Sequence, residues 1–124
     1  MQKLVAIMYT DIVGYTSITE ENGALAQLLN KKHKHALTEN VAKFKGVLQE
    51  LVGDGSLSYF TSASNCVQCA IALQEMFRTE PPVPVRIGIH IGEIKGENDL
   101  VYGNPLNVAS RIESIAVAGS ILSA

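Results

Sequence analysis

Two acidic residues stand where chemistry is possible. Asp11 closes the apolar run KLVAIMYTDIV, and Asp54 sits in the turn VGDGS. A lone charge at the end of a buried strand costs several kcal/mol, roughly, unless it is paired or metal-bound. If the strand that ends at Asp11 lies beside the strands flanking Asp54, both carboxylates can reach one spot. Two hard oxygen donors suit Mg²⁺ or Mn²⁺, which keep further positions for substrate phosphates. Each acid also has a plain structural reading. Asp11 could help to cap the helix that follows, and Asp54 could be a turn-former before Gly55. Together with the loop after Asp11, they favour the metal reading. That loop, Ile12, Val13, Gly14, Tyr15, Thr16 and Ser17, runs from strand to helix and contains a glycine. Its N–H groups could converge on a phosphate, although such turns also occur without a ligand. A third group is Asn107 and Arg111, four apart and so on one helical face. An amide beside a guanidinium suits a sugar oxygen and a phosphate charge. The alternative is a solvated face on which Arg111 pairs with an acid such as Glu113.

These residues need elements to position them. Residues 3–13, apolar on both faces, predict a buried central strand. Thr16 and Ser17, with Glu20 and Glu21 downstream, carry helix-start chemistry. Leu25, Leu28, Leu29, Ala36, Leu37, Val41 and Phe44 form a stripe that predicts one helix over 20–44, ended near Gly46. VLQELV and SLSYF alternate about Gly53-Asp54-Gly55 and predict a hairpin over 47–60. Ser62 or Ser64 caps a second helix through about Arg78, and PPVP forms a stiff connector. VRIGIHIGEIK, residues 85–95, alternates as a strand, and 96–99 read as a polar turn. Asn104-Pro105 opens a third helix, Gly119 stops it, and SILSA is a final strand. The order β-α-β-β-α-β-α-β contains the split βαβ pattern. It predicts an α+β, ferredoxin-like sandwich with an antiparallel-dominated sheet and helices on one face.

Composition narrows the function classes. The chain has 124 residues, net charge −2, 47% hydrophobic and 18% charged residues. That fits one domain with a real core and does not fit disorder. The charge balance offers no basic field for nucleic acid or an anionic membrane. No apolar run is long enough to span a bilayer, and nothing near Met1 reads as a signal peptide. The expected compartment is the cytoplasm. Two cysteines are too few for a disulfide framework.

The segments AIMYTDIVGYTSI, VGDGSLSYF, RIGIHIGEI and YGNPLNVASRIES resemble, in order and over nearly the whole chain, class III nucleotidyl cyclase catalytic domains. These are the adenylate and guanylate cyclases. The resemblance implies a head-to-tail homodimer with active sites at the interface. It implies two Mg²⁺ or Mn²⁺ ions per site, held by Asp11, Asp54 and the carbonyl oxygen of Ile12. It implies a phosphate loop over Val13, Gly14, Tyr15 and Thr16. Asn107 would orient the ribose, and Arg111 of the other subunit would stabilise charge on the reacting phosphate. The implied reaction is in-line attack of the ribose 3′-hydroxyl on the α-phosphate of ATP, giving 3′,5′-cyclic AMP and pyrophosphate for intracellular signalling.

The chain departs from the family pattern in three places. Glu50 stands four residues before Asp54, where adenylate cyclases usually carry a purine-reading Lys; a Glu accepts from guanine instead. The second purine position is Leu100, whose side chain cannot hydrogen-bond, with Asp99 one place away. Family domains also continue beyond the strand that SILSA resembles, so residues 1–124 are expected to be a cyclase domain lacking its C-terminal part. The expected substrate is a nucleoside triphosphate, ATP before GTP. The alternatives are a guanylate cyclase and a catalytically silent, nucleotide-binding regulatory domain. A diguanylate cyclase would need a GGDEF-type turn, and the hairpin here reads VGDG. Cys66 and Cys69 fit small buried hydrophobes better than zinc ligands. His33 and His35 are expected on the surface, and Tyr9, Tyr15 and Tyr102 in packing.

Overall fold

The computed structural model describes residues 2–95, 100–101 and 121–123. The chain runs β1 (Gln2–Ile12), α1 (Tyr15–Glu21), α2 (Gly23–Lys43), β2 (Val47–Val52), β3 (Gly55–Phe60), α3 (Ala63–Arg78), β4 (Val85–Lys95), β5 (Leu100–Val101) and β6 (Ile121–Ser123). The sheet order is β2-β3-β1-β4-β5, and β6 pairs with β4. Neighbours are antiparallel except β4 and β6, which run parallel. This is the ferredoxin-like α+β arrangement that the alternating segments predicted. The third expected helix, Asn104 onward, lies outside the described residues.

β1 is central because it is apolar on both faces. Ala6, Met8 and Ile12 join Phe60 of β3 and Val85, Ile87 and Ile89 of β4 on the side covered by α2 and α3. Val5 and Ile7 pack with Leu57 and Tyr59 on the opposite side. Each fully buried aliphatic or aromatic side chain of this kind contributes about 1.5–3 kcal/mol. α3 presents Cys66, Cys69, Ala70, Leu73 and Phe77 to the core, and Ser62 caps it by accepting from Asn65 N–H at 3.1 Å. Both cysteines are buried free thiols, as their apolar helical setting suggested.

The helical region departs from the single helix expected over 20–44. It starts at Tyr15 and breaks at Asn22, whose φ of −155° and ψ of 88° leave the helical region. Asn22 Oδ1 then accepts from Leu25 N–H at 3.1 Å, so one residue ends α1 and caps α2. Thr16 and Ser17 therefore lie inside α1 rather than at its cap, which is Gly14. The Leu stripe is also narrower than expected. Leu29, Ala36, Leu37 and Val41 are buried, whereas Leu25 and Leu28 are exposed. His33 reverses its expectation and is fully buried beneath the sheet, while His35 is exposed and pairs with Glu39. The predicted polar turn at 96–99 lies outside the described residues. The residues after it, Leu100 and Val101, pair with Lys95 and Ile94 as a short strand that the sequence did not suggest.

Candidate active site

The segments that carry the two acids meet at one end of the three central strands. Asp11 is opposite Gly55 in the β1–β3 register and opposite Arg86 in the β1–β4 register. The Ile12 N–H donates to the carbonyl oxygen of Asp54 at 3.1 Å, so the loops carrying the acids are bonded directly to each other. Gly53 adopts φ 58° to turn the hairpin, a conformation in which a side chain would be strained. Gly55 needs its missing side chain for another reason. A Cβ there would sit 3.0 Å from Thr10 O and 3.9 Å from Asp11 Cβ, filling the space beside the Asp11 carboxylate.

Asp11 is paired. Arg86 Nε donates to Oδ1 at 3.0 Å and Nη2 to Oδ2 at 2.8 Å, a bidentate contact between side chains only 24% and 21% exposed. The charge is compensated by a guanidinium from the neighbouring strand, which is one of the two conditions under which such an acid is tolerated. Sequence reasoning missed Arg86. Its signal was present: it is the first polar residue of an alternating strand, VRIGIHIG, and so projects on one face with Gly88 and His90. Only the register assigns it to Asp11.

The turn and strand ends are braced from behind. Asn30 Nδ2 of α2 donates to Gly53 O at 3.2 Å and to the Tyr15 hydroxyl at 3.4 Å. Three residues along the same helix, His33 Nε2 lies 2.9 Å from Thr10 Oγ1, which lies 2.5 Å from Ser56 Oγ. Burial pushes the His33 pKa down to about 4, against an upward pull from Asp11 and with a smaller downward push from Lys34. The ring is therefore neutral near neutral pH.

The loop after Asp11 keeps only part of its expected donor set. Val13 N–H donates to Pro84 O at 2.7 Å. Gly14, at φ 70°, caps α1 without a side-chain bond, so the N–H groups of the next residues, Tyr15 and Thr16, belong to the unpaired first turn of the helix. Glu50 is exposed on β2 opposite Leu57, which in turn pairs with Tyr9. Tyr9, Glu50, Val52, Gly55, Ser56 and Leu57 line a hollow of about 230 Å³. A larger hollow of about 760 Å³ follows α2 past Leu28, Lys31, Lys34 and His35 and contains neither acid. Asp99, Asn107 and Arg111 lie outside the described residues, and Leu100 is placed by its backbone pairing with Lys95.

As a donor set, Asp11, Asp54 and the Ile12 carbonyl offer hard oxygens to a divalent cation, and the glycine at 55 keeps the space beside Asp11 open. Among the described residues, no group of three or more His, Cys, Asp or Glu side chains assembles as a metal cluster. A cation here would draw its remaining ligands from backbone, water or substrate.

The family model of the adenylate and guanylate cyclase catalytic domain matches residues 1–123. The chain belongs to this family. The cyclase domain is 33% identical over 128 residues to the putative adenylate cyclase 3 of Rhizobium meliloti, covering 97% of this chain and 22% of that protein. It thus spans about a fifth of that relative's length. Among solved structures it resembles the adenylate/guanylate cyclase/hydrolase from Silicibacter pomeroyi (28% identity, TM-score 0.79, covering 99% of this chain and 76% of that one). It also resembles the adenylyl cyclase CyaB from P. aeruginosa (26% identity, TM-score 0.84, 99% and 77%). No helix among the described residues of the cyclase domain is long and apolar enough to cross a membrane.

Proposed function

We propose that this domain converts ATP to 3′,5′-cyclic AMP and pyrophosphate in an intracellular signalling role, working as a homodimer. The observation that carries the reading is the bond from Ile12 N–H to Asp54 O, which holds two acid-bearing loops together beside an open glycine. In this reading the carboxylates of Asp11 and Asp54 and the carbonyl of Ile12 hold two divalent cations, Mg²⁺ or Mn²⁺. Bound there, the cations supply Lewis acidity at the ribose 3′-hydroxyl and offset charge on the leaving pyrophosphate. The 3′-oxygen forms a bond to the α-phosphorus as the bond to the β-phosphate oxygen breaks, and the 3′-hydroxyl proton passes to solvent. The first-turn N–H groups at Tyr15 and Thr16, preceded by Gly14, face the polyphosphate. Asn107 orients the ribose, and Arg111 of a second copy stabilises charge at the α-phosphate. Removal of such a group raises the barrier by about 2.7–4 kcal/mol. The buried free thiols of Cys66 and Cys69 fit a reducing compartment such as the cytoplasm.

One observation favours a second substrate. Glu50 lines the hollow beside Tyr9, and its carboxylate accepts hydrogen bonds, which suits the N1 and N2 donors of guanine better than the acceptor N1 of adenine. Product analysis with ATP and GTP in the presence of Mn²⁺ tests both substrates. Cyclic AMP formation, lost in Asp11→Asn and Asp54→Asn, is the expected result, with Glu50→Lys shifting preference further toward ATP. A dimer that binds nucleotide in calorimetry but forms no cyclic product would overturn the reading in favour of a silent regulatory domain.

A further inference from the structure

The cation reading leaves one feature unexplained: a chain of three buried polar side chains directly behind the acids. Thr10 and His33 are completely buried and Ser56 nearly so. Thr10 and Ser56 are partners in the β1–β3 register. Thr10 immediately precedes Asp11, and Ser56 follows Asp54 by two residues. His33 reaches Thr10 from α2, and its ring also rests against Phe77 with centroids 5.8 Å apart. Buried polar groups in an apolar layer destabilise unless they are satisfied, so a linked set placed here fixes geometry more than it adds stability.

The chain has a direction at its histidine end. His33 Nδ1 is buried and has no partner. An unpaired buried N–H is the rarer and costlier state, so the proton belongs on Nε2. Nε2–H then donates to Thr10 Oγ1, and the Thr10 and Ser56 hydroxyls share a further hydrogen bond in which either can donate. Asn30, one helical turn earlier, holds Gly53 O in the turn beside Asp54. One face of α2 thus grips β1, β3 and the hairpin turn at the level of the acids.

We propose that His33 is a positioning residue for the acid pair: acting through Thr10 and Ser56, it fixes how the end of β1 meets the start of β3, and so how Asp11 stands to Asp54. The proposal rests on the cation reading for its functional consequence but not for its geometry. His33 touches neither substrate nor cation.

The test uses His33→Phe, which keeps a ring against Phe77 but cannot donate, and Thr10→Val, which replaces one hydroxyl by a methyl. His33→Gln keeps an N–H donor. Two readouts are taken: amide exchange at Ile12, whose N–H bonds Asp54 O, and Mn²⁺ binding by calorimetry. His33→Phe and Thr10→Val should each accelerate Ile12 exchange relative to mid-strand Ile7, and weaken Mn²⁺ binding by about tenfold, the low end for groups that orient metal ligands. The double variant should be no worse than the worse single, because both cut one chain. His33→Gln should recover most of the loss. ¹⁵N spectra of the native ring should report a neutral Nε2–H tautomer. If His33→Phe and Thr10→Val lower thermal stability yet leave Ile12 exchange and Mn²⁺ affinity unchanged, His33 is merely a core residue and the proposal falls. If Asp11→Asn leaves native Mn²⁺ binding intact, the cation reading fails, while Ile12 exchange still decides the positioning role. Should His33→Phe not fold, Thr10→Val carries the same test.

Discussion

Replacing Arg86 by Met separates two roles of Asp11. The Asp11 carboxylate accepts two charge-assisted bonds, at 3.0 and 2.8 Å, from one guanidinium. Breaking a fully buried pair by removing one partner destabilises by about 3–5 kcal/mol. Here the side chains are 24% and 21% exposed, so water reaches the orphaned carboxylate and the loss is nearer about 2 kcal/mol. For a domain of this size that lowers the melting temperature by about 6–10 °C. Cation binding moves the other way. On the proposed cation reading, a cation at Asp11 shares the carboxylate with the guanidinium and binds against its like charge. Without Arg86 that opposition disappears, and the same 2 kcal/mol sets a limit of about 30-fold tighter Mn²⁺ binding. Urea denaturation without metal and calorimetric titration with MnCl₂ measure the two effects on one preparation. Lower stability with tighter Mn²⁺ binding is the expected pair of results. If Arg86→Met loses stability and binds Mn²⁺ no more tightly than the native chain, the cation does not compete for Asp11, and the acid's role is structural.

Three further outcomes follow from the packing. Folded His33 has its pKa lowered to about 4 against 6.5 in the unfolded chain, so between these values the unfolded state binds more protons. Stability should be level above about pH 6.5 and fall by on the order of 3 kcal/mol as the pH drops to about 4; His33→Gln should flatten that slope in denaturant melts across pH. Gly46→Ala should destabilise by about 1–3 kcal/mol in the same melts, because its Cβ would strike the buried Phe60 ring. Cys66 and Cys69, whose thiols burial pushes up to about 12, should resist a thiol reagent in the native protein and react promptly in denaturant.

What could be read in the sequence was whatever local periodicity encodes. β1, the 47–60 hairpin, α3 and β4 follow from period-two and period-3.6 patterns bounded by Gly, Pro and Ser. The break at Asn22 was missed although Asn22-Gly23 is a turn-forming pair, because the stripe was read from Leu25 onward; there Asn22 ends α1 and its side chain caps α2 through Leu25 N–H. Leu28 and His33 show why burial is harder to read than helicity. The buried stripe of Leu29, Ala36, Leu37 and Val41 also runs through His33, where Thr10 and Phe77 from distant parts of the chain receive the ring, while Leu28 lies off that stripe. Asp11 could be singled out because an acid at the end of an apolar strand is conspicuous, and Asp54 because it sits in a tight turn between two strands. Arg86 could not, because its importance lies in a register between β1 and β4 that no local pattern records.

The same register explains how one sequence position serves both stability and chemistry. On the proposed cation reading, the Asp11 carboxylate must remain accessible, yet it must not otherwise be left as a lone charge at the edge of the core. Placing Asp11 between Gly55 on one side and Arg86 on the other meets both demands. The glycine leaves space beside Asp11, and the arginine compensates its charge. Because Arg86 is on a separate strand, its pairing with Asp11 is independent of the Ile12 to Asp54 bond that joins the two acid-bearing segments. Moving the cation partner of Asp11 onto β3, by exchanging Gly55 for an arginine, would fill that space and strike Thr10 O. A compensating charge is therefore compatible with an accessible acid on the β4 side and not on the β3 side.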